Sequence, residues 1–318
     1  MNCNIAIAYS VTLDYEFNDK WQNAWYNGFT IRSLKETGRS VSRMGYYVNP
    51  SAESFAAIAR SKSGFYQYCK SNIKQKKIQE VSIKTAFTFL AEGKHIVSFV
   101  GAGGKSSLID AIAKWSSSQG KKVLVTTTTH IFRPQDEFLA MNEKQLQEIW
   151  AAGHWAVIGA IEEKDQQKLK MPEIDWMRQA MKLSDLVLIE ADGSKRLPCK
   201  VPADHEPVLL PESDIVVAVL GLSALERSLK ECCFRLEKAK KLLSADENHL
   251  LTEKDMAAIL LSDQGLRKDV GDRRYIAVLN QCDDSTVRKS AEQVGEMLIN
   301  STGQNSETIE KIVFAKLQ

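Results

Sequence analysis

Seven short apolar runs, most of them rich in β-branched residues, recur through the later part of this chain. They cover residues 96–100, 123–127, 155–161, 186–190, 215–220, 275–280 and 312–314. Between most of them lie longer stretches with helical apolar spacing, at 106–117, 143–151, 173–183, 252–261 and 286–300. Strands that alternate with helices predict an α/β fold with a doubly wound, mainly parallel sheet. The runs are continuously apolar rather than alternating, as strands covered on both faces require. Residues 82–91 predict a short helix leading into the first strand of this series.

At 318 residues the chain suits one large domain or two ordinary ones. With 44% apolar and 26% charged residues, disordered, collagenous and disulfide-scaffold classes drop out. Character changes near residue 80. Residues 1–80 hold 11 Lys/Arg against 6 Asp/Glu, and the remainder 31 against 34. The first segment is rich in aromatics, Ser, Asn and Gly, with a short helix suggested only at 54–60. Residues 1–80 are therefore expected to be an extension packed on the main domain or partly ordered, or an upstream read-through. Its basic and aromatic residues also suit single-stranded nucleic acid. Residues 81–318 are expected to form the nucleotide-binding domain. The overall formal charge of +2 makes nucleic acid a poor default partner for the whole chain.

None of the six cysteines (Cys3, Cys69, Cys199, Cys232, Cys233, Cys282) forms a Cys-x-x-Cys pair, so zinc-ribbon and thioredoxin-type chemistry lack support. Cys232 and Cys233 read as small apolar residues in or beside a helix, with soft-ligand or selenium handling as the alternative. The opening residues lack a basic segment followed by a long apolar run, and no stretch approaches the ~18 apolar residues of a membrane span. The expected location is the cytoplasm, with no membrane partner.

The chemistry-bearing signal is the run IVSFVGAGGKSSL. A strand meets a glycine cluster, then Lys-Ser, then an apolar-periodic helix. Glycines let several backbone N–H groups face one anion, and the helix N-terminus adds partial positive charge. Gly101, Ala102, Gly103, Gly104, Lys105, Ser106 and Ser107 are the expected nucleotide-phosphate cradle. Lys105 would reach the β- and γ-phosphates and the Ser106 hydroxyl would ligate Mg²⁺. The first glycine of the usual spacing would fall at 99, where Phe99 stands. A plain glycine turn with an exposed lysine is the competing reading.

Three further strand ends carry candidates. LVLIEADGS ends in Glu190 and Asp192, which are expected to be catalytic, with Asp192 also on Mg²⁺. A strand-terminal Asp-Gly turn is the alternative. VLVTTTTH places Thr129 and His130 near a nucleotide, with Thr129 toward phosphate or Mg²⁺ and His130 a candidate substrate contact, against a satisfied loop histidine. VLNQCDD resembles the guanine-selecting Asn-Lys-x-Asp pattern at Asn280 and Asp283, with Gln281 replacing the lysine. Such an Asp accepts from guanine N1–H and the exocyclic amine, donors that adenine lacks. A polar strand end is the alternative. Lys195, Arg196 and Lys200 lie on the following segment and are candidates for an anionic substrate, against solvated charges as the ordinary reading. His205, flanked by Asp204 and Glu206 on a proline-bounded loop, is a candidate metal or substrate site, against a plain structural loop.

GAGGKSS, VTTTTHIF, EADGSKRLPCKVPADHEPV and VLNQCDD, in this order, resemble the YqeC family, selenium-dependent hydroxylase accessory proteins also called selenium cofactor biosynthesis proteins. The resemblance runs from about residue 83 to the C-terminus. It implies a P-loop nucleoside triphosphatase fold and a role in maturing selenium-containing molybdenum hydroxylases, with such a hydroxylase or its cofactor as partner. The family motifs fall on 101–107, 126–130, 190–194, 205–207 and 280–283. Ser106-Ser107 stand where the family often has two threonines, and Phe234-Arg235 where a His-Arg pair is expected.

Three functions compete. The first is a slow Mg²⁺-dependent NTPase switch, with GTP preferred over ATP, that serves hydroxylase maturation. The second is a P-loop small-molecule kinase with its substrate at 195–205. The third is a non-hydrolysing, nucleotide-bound cofactor chaperone.

Overall fold

The computed structural model describes residues 4–10, 23–26, 29–32, 79–82, 86–282, 285–302 and 309–316. The chain divides into two compact units, residues 1–8 with 79–318, and residues 9–78. The smaller unit holds an antiparallel pair, Asn23–Tyr26 with Phe29–Arg32. The helix suggested at 54–60 lies outside the described residues.

The larger unit is built on seven strands: β1 (His95–Gly101), β2 (Val123–Thr127), β3 (Ala156–Val157), β4 (Leu186–Glu190), β5 (Ile215–Gly221), β6 (Arg274–Asn280) and β7 (Lys311–Lys316). Their order across the sheet is β7-β6-β5-β1-β4-β2-β3, and all six pairings are parallel. Beside β7 lies Asn4–Ser10, itself paired antiparallel with Gln79–Ser82. The longer helices among the described residues are α1 (Lys105–Ser118), α2 (Glu143–Ala151), α3 (Ile174–Leu183), α4 (Leu236–Leu243), α5 (Glu253–Leu261) and α6 (Ser285–Thr302).

Alternate residues of one strand supply two different cores, because successive side chains leave a strand on opposite faces. Leu186 and Leu188 of β4 join Leu108, Ile109 and Ile112 of α1. Val187 and Ile189 join Leu146 and Trp150 of α2 and Met177 and Met181 of α3. Every residue of β2, β4 and β5 is buried. The sheet is thus covered on both faces, the reason its strands read as continuous apolar runs.

Most expected elements recur within a residue or two. The helix expected at 252 starts at Glu253, because Thr252 is its cap. The Thr252 hydroxyl accepts from Asp255 N–H, and the Asp255 carboxylate accepts from Thr252 N–H. Two expectations need correction. Among the described residues Ser82 ends a strand, Ala86 is helical and Thr88–Ala91 forms a 3₁₀ turn, so no helix starts at Ser82. The run 155–161 is not one strand. Ile158 N–H still bonds to Val125 O, but Ala160–Glu162 then turns to pair antiparallel with Asp165–Lys170. That neighbour is closer in sequence and completes a small three-stranded sheet with His130–Phe132. Cys232 ends a one-turn helix and Cys233 opens a two-residue strand paired with Cys199–Lys200; all three thiols are buried.

Candidate functional site

The registers bring five strand ends to one edge. Glu190 of β4 lies opposite Phe99 of β1 and Thr127 of β2. Val219 of β5 lies opposite Gly101, and Gly221 opposite Asn280 of β6. In open parallel sheets, ligands bind outside the carboxyl ends of the strands.

The glycine loop is shaped by close approach. Gly103 and Gly104 have φ of +82° and +108°, in the left-handed region. A Cβ on Gly103 would stand 2.4 Å from Gly221 Cα, and one on Gly104 2.4 Å from Asn280 Nδ2. Ala102 N–H donates to Val219 O (2.8 Å), tying the loop to β5. Gly104 is the N-cap of α1 and offers no side chain to the first-turn N–H groups. Those groups remain as donors at the positive end of the helix dipole. Ser106 and Ser107 are exposed there.

Lys105 folds back into the protein. Its Nζ donates to Gly101 O (2.5 Å) and lies 3.0 Å from Asp192 Oδ1. The other oxygen of Asp192 accepts from Gly101 N–H (3.0 Å) and lies 3.2 Å from Lys200 Nζ. Lys200 also donates to Gly193 O (2.6 Å) and pairs with Glu206 Oε2 (3.1 Å). Glu206 then accepts from Ala203 N–H and from Nε and Nη2 of Arg235. Asp192 and Lys200 are wholly buried. Alternating charges Lys105–Asp192–Lys200–Glu206–Arg235 therefore run from the glycine loop to the start of α4. Burial pushes the Glu206 carboxyl up, but Arg235, the Ala203 N–H and Lys200 outweigh it and hold it at about 2.

Glu190 accepts from the Ser106 hydroxyl (2.8 Å). Burial raises its carboxyl above the ordinary value, with the Lys105 charge and the Ser106 bond opposing. Asn280 donates through Nδ2 to Gly103 O (2.6 Å); its Oδ1 is buried with no hydrogen-bond partner among the described residues. Gln281 has φ of +65°, and its Oε1 accepts from Ser223 Oγ (2.6 Å). Asp283 lies outside the described residues.

The threonine run serves the backbone around the site. Thr127 donates to Glu190 O (2.8 Å) and accepts from Thr129 N–H (2.9 Å); Thr128 donates to Val208 O (2.8 Å). Thr129 is half-buried beside Thr127. His130 is exposed on the small sheet and pairs with Glu162 (2.9 Å). Lys195, Arg196 and His205 are exposed. Lys200 differs from its neighbours: it is sealed in the ion chain and is not available to a substrate at the surface. Sequence reasoning took Glu206 only as one of two acids flanking His205 in a candidate metal or substrate site, and gave Arg235 no role. The one available signal was the placing of Lys200 between Cys199 and Val201, both buried residues. Lys200 is buried with them, and a buried lysine needs buried partners.

These features define an α/β protein whose glycine loop, acid pair and strand-end amide converge at the carboxyl edge of a doubly wound parallel sheet. The family model described as YqeC protein matches residues 97–237, an interval that holds the loop, both acids and the whole ion chain. The chain is also similar to a protein of Escherichia coli (strain K12) called "Uncharacterized protein YqeC", 30% identical over 210 residues, 60% of this chain and 78% of that protein. The chain belongs to the YqeC family. Among the described residues, no helix is long and apolar enough to cross a membrane.

Proposed function

We propose that this chain is a P-loop nucleotide-binding protein that takes a nucleoside triphosphate with Mg²⁺, GTP in preference to ATP, and hydrolyses it slowly. The observation that carries this reading is that Lys105 and Ser106 lie directly beside Asp192 and Glu190, Glu190 being the last residue of the adjacent strand β4 and Asp192 lying just beyond it. Loop N–H groups and Lys105 would hold the phosphates, and Ser106 would face the metal. The residues suit both ligands. Ser106, Glu190 and Asp192 carry hard oxygen donors of the kind Mg²⁺ takes. Asn280 Oδ1, without a hydrogen-bond partner among the described residues, leaves an acceptor beside the loop. Bound Mg²⁺ would supply neutralising charge on the phosphates.

For Lys105 to hold phosphate, its ammonium must leave Asp192. That exchange is one anion for another, and Lys200 stays behind to neutralise the buried carboxylate. Without Lys200, the same movement would strand an unpaired buried charge, which costs several kcal/mol. The guanine preference rests on the Asn280–Asp283 pattern. A role in maturing selenium-dependent molybdenum hydroxylases rests on the family resemblance alone. The test is Mg²⁺-dependent binding of fluorescent GTP and ATP analogues to the purified chain. Tight GTP binding with weak ATP binding is expected, and binding of neither would remove the reading.

A further inference from the structure

The cations next to the ion chain fall into two groups. Lys105, Lys200 and Arg235 are neutralised by Asp192 and Glu206, and Lys238 by Asp204. Lys195 and Arg196 are not: among the described residues, neither has a carboxylate within ion-pair distance. They lie on the turn just after Asp192, closed by Leu197 N–H on Ser194 O (3.0 Å). That turn is anchored from inside by Lys200 on Gly193 O.

These two side chains are nonetheless held. Lys195 Nζ lies 5.4 Å from the centre of the Phe234 ring, and the Arg196 guanidinium 4.9 Å from that of Phe132. Consecutive residues thus rest on two different rings. Phe132 is 54% exposed, a large apolar surface left in solvent beside a cation. An aromatic face orients a cation without cancelling its charge, unlike a carboxylate. Both residues also have left-handed backbone, φ +48° and +63°, a conformation that costs a non-glycine residue on the order of 1 kcal/mol or more. The result is two pre-oriented, unneutralised cations on the segment that follows Asp192.

We propose that the 193–197 turn, flanked by Phe132 and Phe234, is a binding site for a second ligand, a small molecule bearing phosphate or carboxylate oxygens. The nucleotide phosphates would take Lys105 and the loop; the second anion takes Lys195 and Arg196. Each ring restrains its cation before the anion arrives, which lowers the side-chain entropy lost on binding. The placing of this ligand beside a nucleotide rests on the function proposed above, but the anion site itself does not.

The experiment is calorimetric titration of the full chain with inorganic phosphate and with citrate, each with and without Mg²⁺ and GTP. The variants are K195A/R196A, F132A and K105A. Alanine retains the Cβ already present at 195 and 196, so it adds no backbone strain. At least one probe should bind wild type at millimolar concentration, and saturating GTP should not displace it. The double variant should lose affinity for that probe by about tenfold or more with GTP affinity unchanged. Removal of the Phe132 ring should cost about two- to fivefold. K105A should lose GTP and keep the anion. Phosphate binding without citrate binding would name a phosphorylated ligand, and the reverse a carboxylate. Failure of both probes to bind, equal binding by the double variant, or displacement by GTP would overturn the proposal. Anion binding that depends on Lys195 and Arg196 in a chain that binds no nucleotide would keep this site and remove the nucleotide reading.

Discussion

The ammonium of Lys105 lies 3.0 Å from Asp192 Oδ1, with both side chains almost wholly out of solvent. A lysine committed to a buried carboxylate gives it up only to another anion. The same Asp192 keeps Lys200 on its second oxygen, so it need never be unpaired.

Lys105→Ala should lower nucleotide affinity by about a hundredfold, the scale expected when a charge-assisted hydrogen bond to phosphate is removed together with its cation. Fluorescent-nucleotide titration measures it. Unchanged affinity and turnover would remove Lys105 from the site. The fold should survive, because Asp192 retains Lys200 and the Gly101 N–H.

Lys200→Met should destabilise the chain by about 3–5 kcal/mol, since it leaves Asp192 and Glu206 short of a buried counter-charge. Denaturant unfolding reads this directly. In a double-mutant cycle with Glu206→Gln, the two losses should be clearly less than additive. Full additivity would mean that the two side chains act independently.

Acid should weaken the fold through Glu206. Its carboxyl is ordinarily near 4.5 and is held at about 2 in the folded chain. A depressed carboxyl stabilises fully above the unfolded value and loses that contribution as pH falls from about 4.5 toward 2. Unfolding free energy followed over this window should fall more steeply for wild type than for Glu206→Gln. Parallel curves would contradict the assignment.

Gly103→Ala should damage the loop even though it adds one carbon. Its Cβ would meet Gly221 Cα at 2.4 Å, backbone against backbone, at a φ of +82°. A loss of ~2 kcal/mol or more in stability and a marked drop in nucleotide affinity are expected. Wild-type melting and binding would show that β5 yields at Gly221.

Asp283→Asn should weaken GTP more than ATP, because only guanine offers two donors to that carboxylate. Competition titrations compare the two nucleotides. Equal effects would leave Asn280 as a support of the loop, through its bond to Gly103 O, rather than a base reader.

Much of the fold was legible because it rests on local pattern. Runs such as 123–127 and 186–190 are short, apolar and β-branched, and they became β2 and β4 with those bounds. The reading failed where two strand partners competed. Residues 155–161 are one apolar run in sequence, yet the chain leaves β2 after Ile158 for the nearer Asp165–Lys170. The loop, the two acids and Asn280 were also readable, as residue types at strand ends.

The ion chain was not readable. Glu206 stood beside His205 on a proline-bounded loop, Arg235 lay far along the chain with no role, and Lys195, Arg196 and Lys200 looked equivalent. Hydrophobic periodicity and glycine chemistry act over a few residues, so the sequence by itself determined the alternation of strand and helix and the presence of a strand-end glycine loop. Which of three nearby cations is buried, and which two stay charged in solvent, depends on side chains brought from distant points along the chain. Only the packing of 199–206 against 234–235 decided that, because a charge is worth burying only where a partner already stands.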